Sequence, residues 1–288
     1  MSKIIRQEIN LEGVTWEYFE AGEGRPFLLI PAFHSDINRF RPLVDYLSRY
    51  FRVILPHLPG ISNSQAMGHY RYSSKNYARF LNLLVKKLDL KHYILGGFCL
   101  GGVIIVRMLE QGLNFPMHVV IFEGIYDADY LRLEKPFDLV KRVALRLGSR
   151  SVLLKSAVDL VLHDERVLAL YLRLVYRNEL NLKEVIKHQI GITKIMSTRA
   201  YIEAAFDIFS THLAKEKLVF KVPTILIYNR YDNLIDLPPT IAGMQRIFPN
   251  SEVLQINLTK HSPAGEISLN AVEKMVEPLS AKLNFLRN

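Results

Sequence analysis

Tyr93-Ile94-Leu95-Gly96-Gly97-Phe98-Cys99-Leu100-Gly101-Gly102-Val103-Ile104-Ile105-Val106 is the stretch from which the rest of the chain can be read. One apolar run leads into Gly97-x-Cys99-x-Gly101, and a second apolar run leaves it. A buried strand, a tight turn and a buried helix have this pattern. The turn predicts strained backbone at its centre, which pushes the Cys99 side chain into a cleft. Glycine fits on both flanks, because a Cβ there collides where strand and helix cross at close quarters. A free cysteine is also a common small buried hydrophobe. What decides between core and chemistry is whether an acid and a histidine follow, in order, each at a strand end.

The whole chain sets the frame. Its 288 residues suffice for one large α/β domain with an insertion. A hydrophobic fraction of 49% fits a soluble globular protein. Cys99 is the single cysteine, so no internal disulfide forms and a reducing, cytoplasmic setting is expected. The first eight residues hold no apolar core for a signal peptide. The longest uncharged stretch is the glycine-bearing turn itself, too short for a membrane span. The net charge is +9, from 37 Lys+Arg against 28 Asp+Glu. Solubility accounts for such an excess. It also suits an anionic partner: coenzyme A phosphates, an acidic carrier protein or a membrane surface. No nucleic-acid motif or concentrated basic block is present, so nucleic acid is not expected.

Gly97-Phe98-Cys99-Leu100-Gly101 resembles the nucleophile elbow of the α/β-hydrolase superfamily, in its thiol-nucleophile form. The resemblance extends over nearly the whole chain outside a central block. Residues 3–11 and 15–20 alternate apolar and polar and read as half-buried strands. Phe27-Leu28-Leu29-Ile30 is a fully buried strand followed by Pro31-Ala32-Phe33-His34. The superfamily commonly has His-Gly after this strand, where the next backbone N–H helps form the oxyanion hole. Pro31-Ala32 stands there instead, so the resemblance implies Phe33 and Leu100 as the two donors. His34 is a loop histidine that either faces the cleft or lies on the surface. A helix is expected over 40–50, a buried strand over 51–55 and a second helix over 72–88. Pro56-His57-Leu58-Pro59-Gly60-Ile61-Ser62-Asn63-Ser64 resembles the family's Asp-Leu-Pro-Gly-x-Gly-x-Ser loop. His57 replaces Asp, Ser62 replaces Gly, and His57 reads as a brace for that loop.

Met117-His118-Val119-Val120-Ile121-Phe122 is a further buried strand, ending at Glu123, where some branches of the superfamily carry the catalytic acid. From 126 to 217 the texture changes: no buried strand is obvious, and amphipathic helices are expected at 137–147, 151–162, 166–176, 182–189 and 200–213. This is where the superfamily inserts a helical cap. The resulting division is 1–125 as the first part of the core, 126–217 as the cap and 218–288 as the second part. Lys141, Arg142, Arg146, Arg150 and Lys155 are dense enough for a basic cap face. The core resumes at Phe220-Lys221-Val222-Pro223-Thr224-Ile225-Leu226-Ile227-Tyr228-Asn229-Arg230-Tyr231-Asp232, similar to the family's penultimate strand and acid loop. Asn229 replaces the usual Gly, an exchange expected to rest on tolerance of positive φ. Asp232 is the expected acid, with Glu123 in reserve. A last strand over 252–258 precedes His261, the expected catalytic histidine, although Lys260 stands where the family often has Gly. A closing helix is expected over 271–286, kinked or split by Pro278.

The order Cys99, Asp232, His261 is that of the α/β-hydrolase triad. A thiol acts as a nucleophile in its thiolate form, which a helix N-terminus and a neighbouring imidazolium both favour. The resemblance therefore implies an acyl ester or thioester hydrolase working through an acyl-cysteine on a small-molecule substrate, with no cofactor or metal. The elbow also looks like that of polyhydroxyalkanoate synthases, and dienelactone hydrolases likewise place Cys there. This keeps an acyltransferase using acyl-coenzyme A or an acyl carrier protein as the alternative. A non-catalytic binding protein on the same fold ranks last, because all three triad members are present in context.

Overall fold

The structure is a computed structural model. It describes residues 3–33, 35, 37–61, 64–132, 151–175, 182–258, 269–282 and 286. Among these, eight strands form one sheet: β1 (Ile5–Leu11), β2 (Val14–Ala21), β3 (Pro26–Ile30), β4 (Arg52–Pro56), β5 (Ile94–Phe98), β6 (His118–Phe122), β7 (Thr224–Asn229) and β8 (Ser251–Ile256). Their order is β1-β2-β4-β3-β5-β6-β7-β8. β1 and β2 pair antiparallel and β2 meets β4 antiparallel, while every remaining pair is parallel. This is the α/β-hydrolase architecture that the motifs imply.

Strands β5, β6 and β7 are buried along their full length. Parallel strands covered on both faces need such continuous apolar runs. One face packs Trp16, Tyr77, Phe80 and Ile104 beneath α2 (Ser74–Lys87) and α3 (Leu100–Glu110). The other packs Phe40, Phe51, Phe98 and Val276 beneath α1 (Ile37–Leu47) and the closing helix, α9 (Leu269–Ser280). At the centre, Phe98 and Phe122 stack on adjacent strands with ring centroids 4.2 Å apart. β1 departs from the half-buried expectation: only Leu11 of its seven residues is buried, because it is an edge strand with β2 as its one neighbour. The closing helix is also shorter than expected. It remains one helix past Pro278 and stops at Ser280, so the proline sits in its last turn, where few backbone bonds are left to lose.

Between β6 and β7 the described residues contain no strand. They form α4 (Val152–His163), α5 (Glu165–Val175), α6 (Leu182–Lys194) and α7 (Thr198–Phe209), with short 3-10 turns at Ala128–Tyr130 and Leu213–Lys215; α8 (Leu237–Ile247) follows β7. The helix expected at 137–147 and the cations Lys141, Arg142, Arg146 and Arg150 lie outside the described residues, as does the side chain of Lys155.

Helix α7 ties this insert to the core. It opens with Ser197, whose Oγ accepts from Ala200 N and whose own N–H donates to Gly60 O at 2.9 Å. Arg199, Glu203 and Asp207 then recur every four residues, on one helical face. Arg199 donates to Gly68 O (2.7 Å) and Tyr70 O (3.1 Å). Glu203 accepts from Tyr72 N (2.9 Å), and Asp207 accepts from Ser74 N at the start of α2 (2.8 Å).

Candidate active site

Cys99 links the end of β5 to the start of α3. Its backbone stands at φ 50°, ψ −106°, far from any region that a side chain favours. Two hydrogen bonds hold it there: Cys99 N donates to Phe122 O (2.9 Å), and Gly102 N donates to Cys99 O (3.0 Å). The flanking glycines are required by contact. A Cβ on Gly97 would lie 2.7 Å from the carbonyl carbon of Gly101. One on Gly101 would lie 2.6 Å from Ile30 O and 3.2 Å from Pro31 O. Strand, helix and the loop after β3 therefore meet backbone to backbone. The thiol is half-buried, with apolar neighbours in both halves of the core.

The expected oxyanion donors flank this crossing. Leu100 is the first residue of α3, so its amide lacks an intrahelical acceptor. Phe33 lies on the loop after β3, its ring 5.6 Å from that of Tyr201 on α7. The insert thus reaches over the loop beside Cys99.

Asp232 is 5% exposed in the turn after β7. Its Oδ1 accepts from the backbone of Leu234 and Ile235, both at 2.8 Å. Asn229 has a role other than the one expected from sequence. It is not among the residues at positive φ. Instead its buried Oδ1 accepts from Tyr231 N (3.2 Å) and Leu258 N (2.9 Å), tying the acid turn to the end of β8. Glycine could not supply that bridge. His261, expected just beyond, lies outside the described residues, as do Lys260, His34 and Ser62.

Glu123 is 1% exposed at the end of β6, with φ 49° and its N–H donated to Ile227 O at 2.8 Å. Burial, followed by the charges of Asp232 and Glu123, pushes the Tyr228 phenol well above its usual range. That hydroxyl donates to Gly124 O (3.1 Å). Asp232 and Glu123, the two acid candidates of the sequence, are thus both buried at the ends of neighbouring strands.

His57 is a brace, as expected. It is buried, with Nδ1 2.5 Å from Glu17 Oε2 and its N–H donated to Glu17 O at 2.8 Å. Arg6 pairs with the other Glu17 oxygen. Ser64 completes the tie by accepting from Glu17 N (3.0 Å) and donating to His57 O (2.8 Å).

Two polar features lie away from Cys99. Ligand atoms of Asp127, Asp129 and His212 fall within 4.8 Å of one another. The 3-10 turn already employs them: Asp127 Oδ1 accepts from Asp129 N (3.0 Å) and meets His212 Nδ1 (2.8 Å). A cavity of about 380 Å³ opens beside His212, lined by Ser74, Lys75, Arg107, Asp207 and Glu216 among others. Arg107 is eight residues along α3 from Cys99, about 12 Å by helical rise, so the cavity is a flank feature. Arg107 is engaged through both terminal nitrogens, with Nη1 2.5 Å and Nη2 2.7 Å from Glu216 and Nη1 2.9 Å from Glu110.

Comparison with known proteins is consistent with this geometry. The sequence profile described as the alpha/beta hydrolase fold matches residues 25–266. An uncharacterised hydrolase of Saccharomyces cerevisiae is 29% identical over 110 residues, 38% of this chain and 37% of that protein. The (E)-2-((N-methylformamido)methylene)succinate hydrolase of Acinetobacter baylyi is 24% identical over 112 residues, 39% of this chain and 42% of that protein. The matched stretch therefore spans about two fifths of the length of these curated relatives. Among solved structures, an esterase from Thermogutta terrifontis superposes with a TM-score of 0.70 at 19% identity, covering 99% of this chain and 100% of its own.

Proposed function

The chain belongs to the α/β-hydrolase-fold family, and on that premise we propose that it is an acyl ester or thioester hydrolase with Cys99 as nucleophile. The observation that carries the reading is the Cys99 backbone at φ 50°, ψ −106°. A cysteine that served only as core filler would gain nothing from such strain, which costs of order 1–3 kcal/mol. The strain has a use when the side chain must stand clear at the first turn of α3.

In this mechanism His261 takes the thiol proton and Asp232 orients the imidazole and favours its charged form. The Cys99 thiolate attacks the acyl carbonyl, and the resulting oxyanion is received by the amides of Phe33 and Leu100. A donor of this kind typically contributes ~3–4 kcal/mol. Collapse expels the alcohol or thiol, protonated by His261, and leaves an acyl-cysteine. Water activated by His261 then releases the acid. The helical insert serves as a cap, with Tyr201 over the oxyanion loop. A thiol nucleophile exchanges readily with thioesters, and the elbow resembles that of polyhydroxyalkanoate synthases. This sustains acyl transfer from coenzyme A or a carrier protein as the second reading; what intercepts the acyl-cysteine separates the two.

The test is intact-protein mass after mixing with acyl-p-nitrophenol and acyl-thioester donors. One acyl group on Cys99, lost quickly to water, is the expected result. An adduct that persists until an amine, alcohol or carrier thiol is added assigns the protein to transfer. Cys99→Ala should take up no acyl group, whereas Cys99→Ser should keep weak ester cleavage. Full turnover by Cys99→Ala would remove the thiol from the mechanism.

A further inference from the structure

Helices α4 and α5 form a hairpin through Asp164, whose Oδ1 accepts from Arg166 N (2.9 Å) and Val167 N (3.0 Å). Leu162, Leu168 and Leu172 are buried on the inner side of the pair. On a helix, residues about half a turn away from these point outward. Those outward positions carry Leu153 at 83% exposure, Leu160 at 59% and Leu170 at 60%, with Val167 at their margin. Clusters of exposed large side chains mark interaction surfaces, whereas scattered single ones do not.

The charges on this hairpin are asymmetric. Arg166 and Arg173 are exposed beside Leu170 on α5, and neither pairs with a carboxylate among the described residues. The hairpin's own carboxylates are turned away and occupied. Asp159 meets Thr198 and His163, Glu165 meets Lys194 at 2.7 Å, and Asp164 caps α5. Among the described residues the outward face is therefore apolar and cationic, its neighbouring acids already engaged by Thr198, His163, Lys194 and the start of α5.

From this juxtaposition we infer that the α4–α5 hairpin docks on an anionic lipid bilayer surface, its leucines entering the headgroup boundary and its arginines meeting lipid phosphates. Charge complementarity selects this occupant over a second copy of the chain. A two-fold contact through this face would bring Arg166 and Arg173 of both copies together without a carboxylate to receive them. Amphipathic helices of this composition lie in the interface plane, combining apolar burial with attraction to anionic lipid. The inference is independent of the acyl-transfer reading, because binding is measured without turnover.

The experiment is co-sedimentation of the full chain with phosphatidylcholine vesicles, with and without phosphatidylglycerol. Binding to the phosphatidylglycerol vesicles is expected, weakening as salt rises. Leu160→Asp with Leu170→Asp should lower that affinity by roughly a hundredfold, since each buried leucine is worth about a factor of ten. Arg166→Gln with Arg173→Gln should remove the preference for phosphatidylglycerol. Unchanged thermal melting certifies each variant as folded; should the aspartates fail that check, Leu160→Ser with Leu170→Ser replaces them. The inference is overturned if the unmodified chain ignores phosphatidylglycerol vesicles or if folded leucine variants bind as well as it does. A dimer in sedimentation velocity that the leucine changes dissolve overturns it in favour of self-association.

Discussion

Cys99→Gly and Cys99→Ala, compared with each other, isolate the strain at the elbow from the loss of the thiol. Both variants delete the sulfur, and only alanine keeps a Cβ at φ 50°, ψ −106°. Strain of this kind amounts to about 1–3 kcal/mol. Glycine relieves it but loses about 0.5–1 kcal/mol through the greater freedom of its unfolded chain. The balance leaves glycine ahead of alanine by roughly 1 kcal/mol. Unfolding entropy near 2.1 cal/mol/K per residue gives about 0.6 kcal/mol/K for 288 residues. One kcal/mol is then a rise of a degree or two in melting temperature, small but resolvable in paired calorimetry. Urea unfolding of the same two proteins supplies a second reading, as a shift in midpoint at unchanged slope. Both variants should be inactive, so the glycine protein would be more stable and without function. If glycine proves equal to or less stable than alanine, the elbow holds no strain, and its geometry does not serve to present a nucleophile.

Asp232→Asn should lower kcat by about 10²–10⁴ while the fold persists, because an amide oxygen still accepts from Leu234 and Ile235; p-nitrophenyl ester kinetics measure it, and wild-type rates would disqualify Asp232. Glu17 is held below its ordinary value of 4.5, chiefly by its hydrogen bond with His57. A carboxylate lowered on folding contributes stability above its unfolded pKa, and that stability is lost as pH falls through the folded value. Glu17→Gln should therefore flatten the acid limb of a stability–pH curve, and an unaltered limb would contradict the pairing. Glu203→Ala strips Tyr72 N of its acceptor, so a loss of about 1–3 kcal/mol is expected in urea unfolding. Hydrogen exchange at Tyr72 should quicken with it; unchanged protection would mean that α7 is held by other means.

The elements that read correctly from sequence are those where backbone geometry dictates residue type. Gly97 and Gly101 have to be glycine because each Cβ would enter a neighbouring carbonyl group. Strands β5, β6 and β7 have to be apolar throughout because each is covered on both faces. Position alone was a weaker guide to mechanism. By position Asn229 stands in for glycine's conformational freedom, whereas its side-chain oxygen accepts from two backbone donors and staples the acid turn to the end of β8. A single residue type satisfies either need, and only the contacts distinguish them. The edge strand β1 misled in the opposite sense, since its alternation promised half-burial that a strand with one neighbour does not obtain.

The anchoring of α7 shows why the insert was the least legible part. Arg199, Glu203 and Asp207 form an i, i+4, i+8 stripe, which in a sequence is indistinguishable from an ordinary solvated face. Their acceptors and donors are backbone groups of residues 68–74, which any sequence could provide. Backbone recognition leaves no mark on the recognised segment, so no pairing of residue types could reveal it. The same logic explains the outward face of α4 and α5. Sequence periodicity assigns every apolar stripe to packing by default, yet Leu153, Leu160 and Leu170 stand on the side away from the buried leucines. A helix with leucine on two faces has, among the described residues, one face more than packing consumes, and the second is the one proposed above for the bilayer.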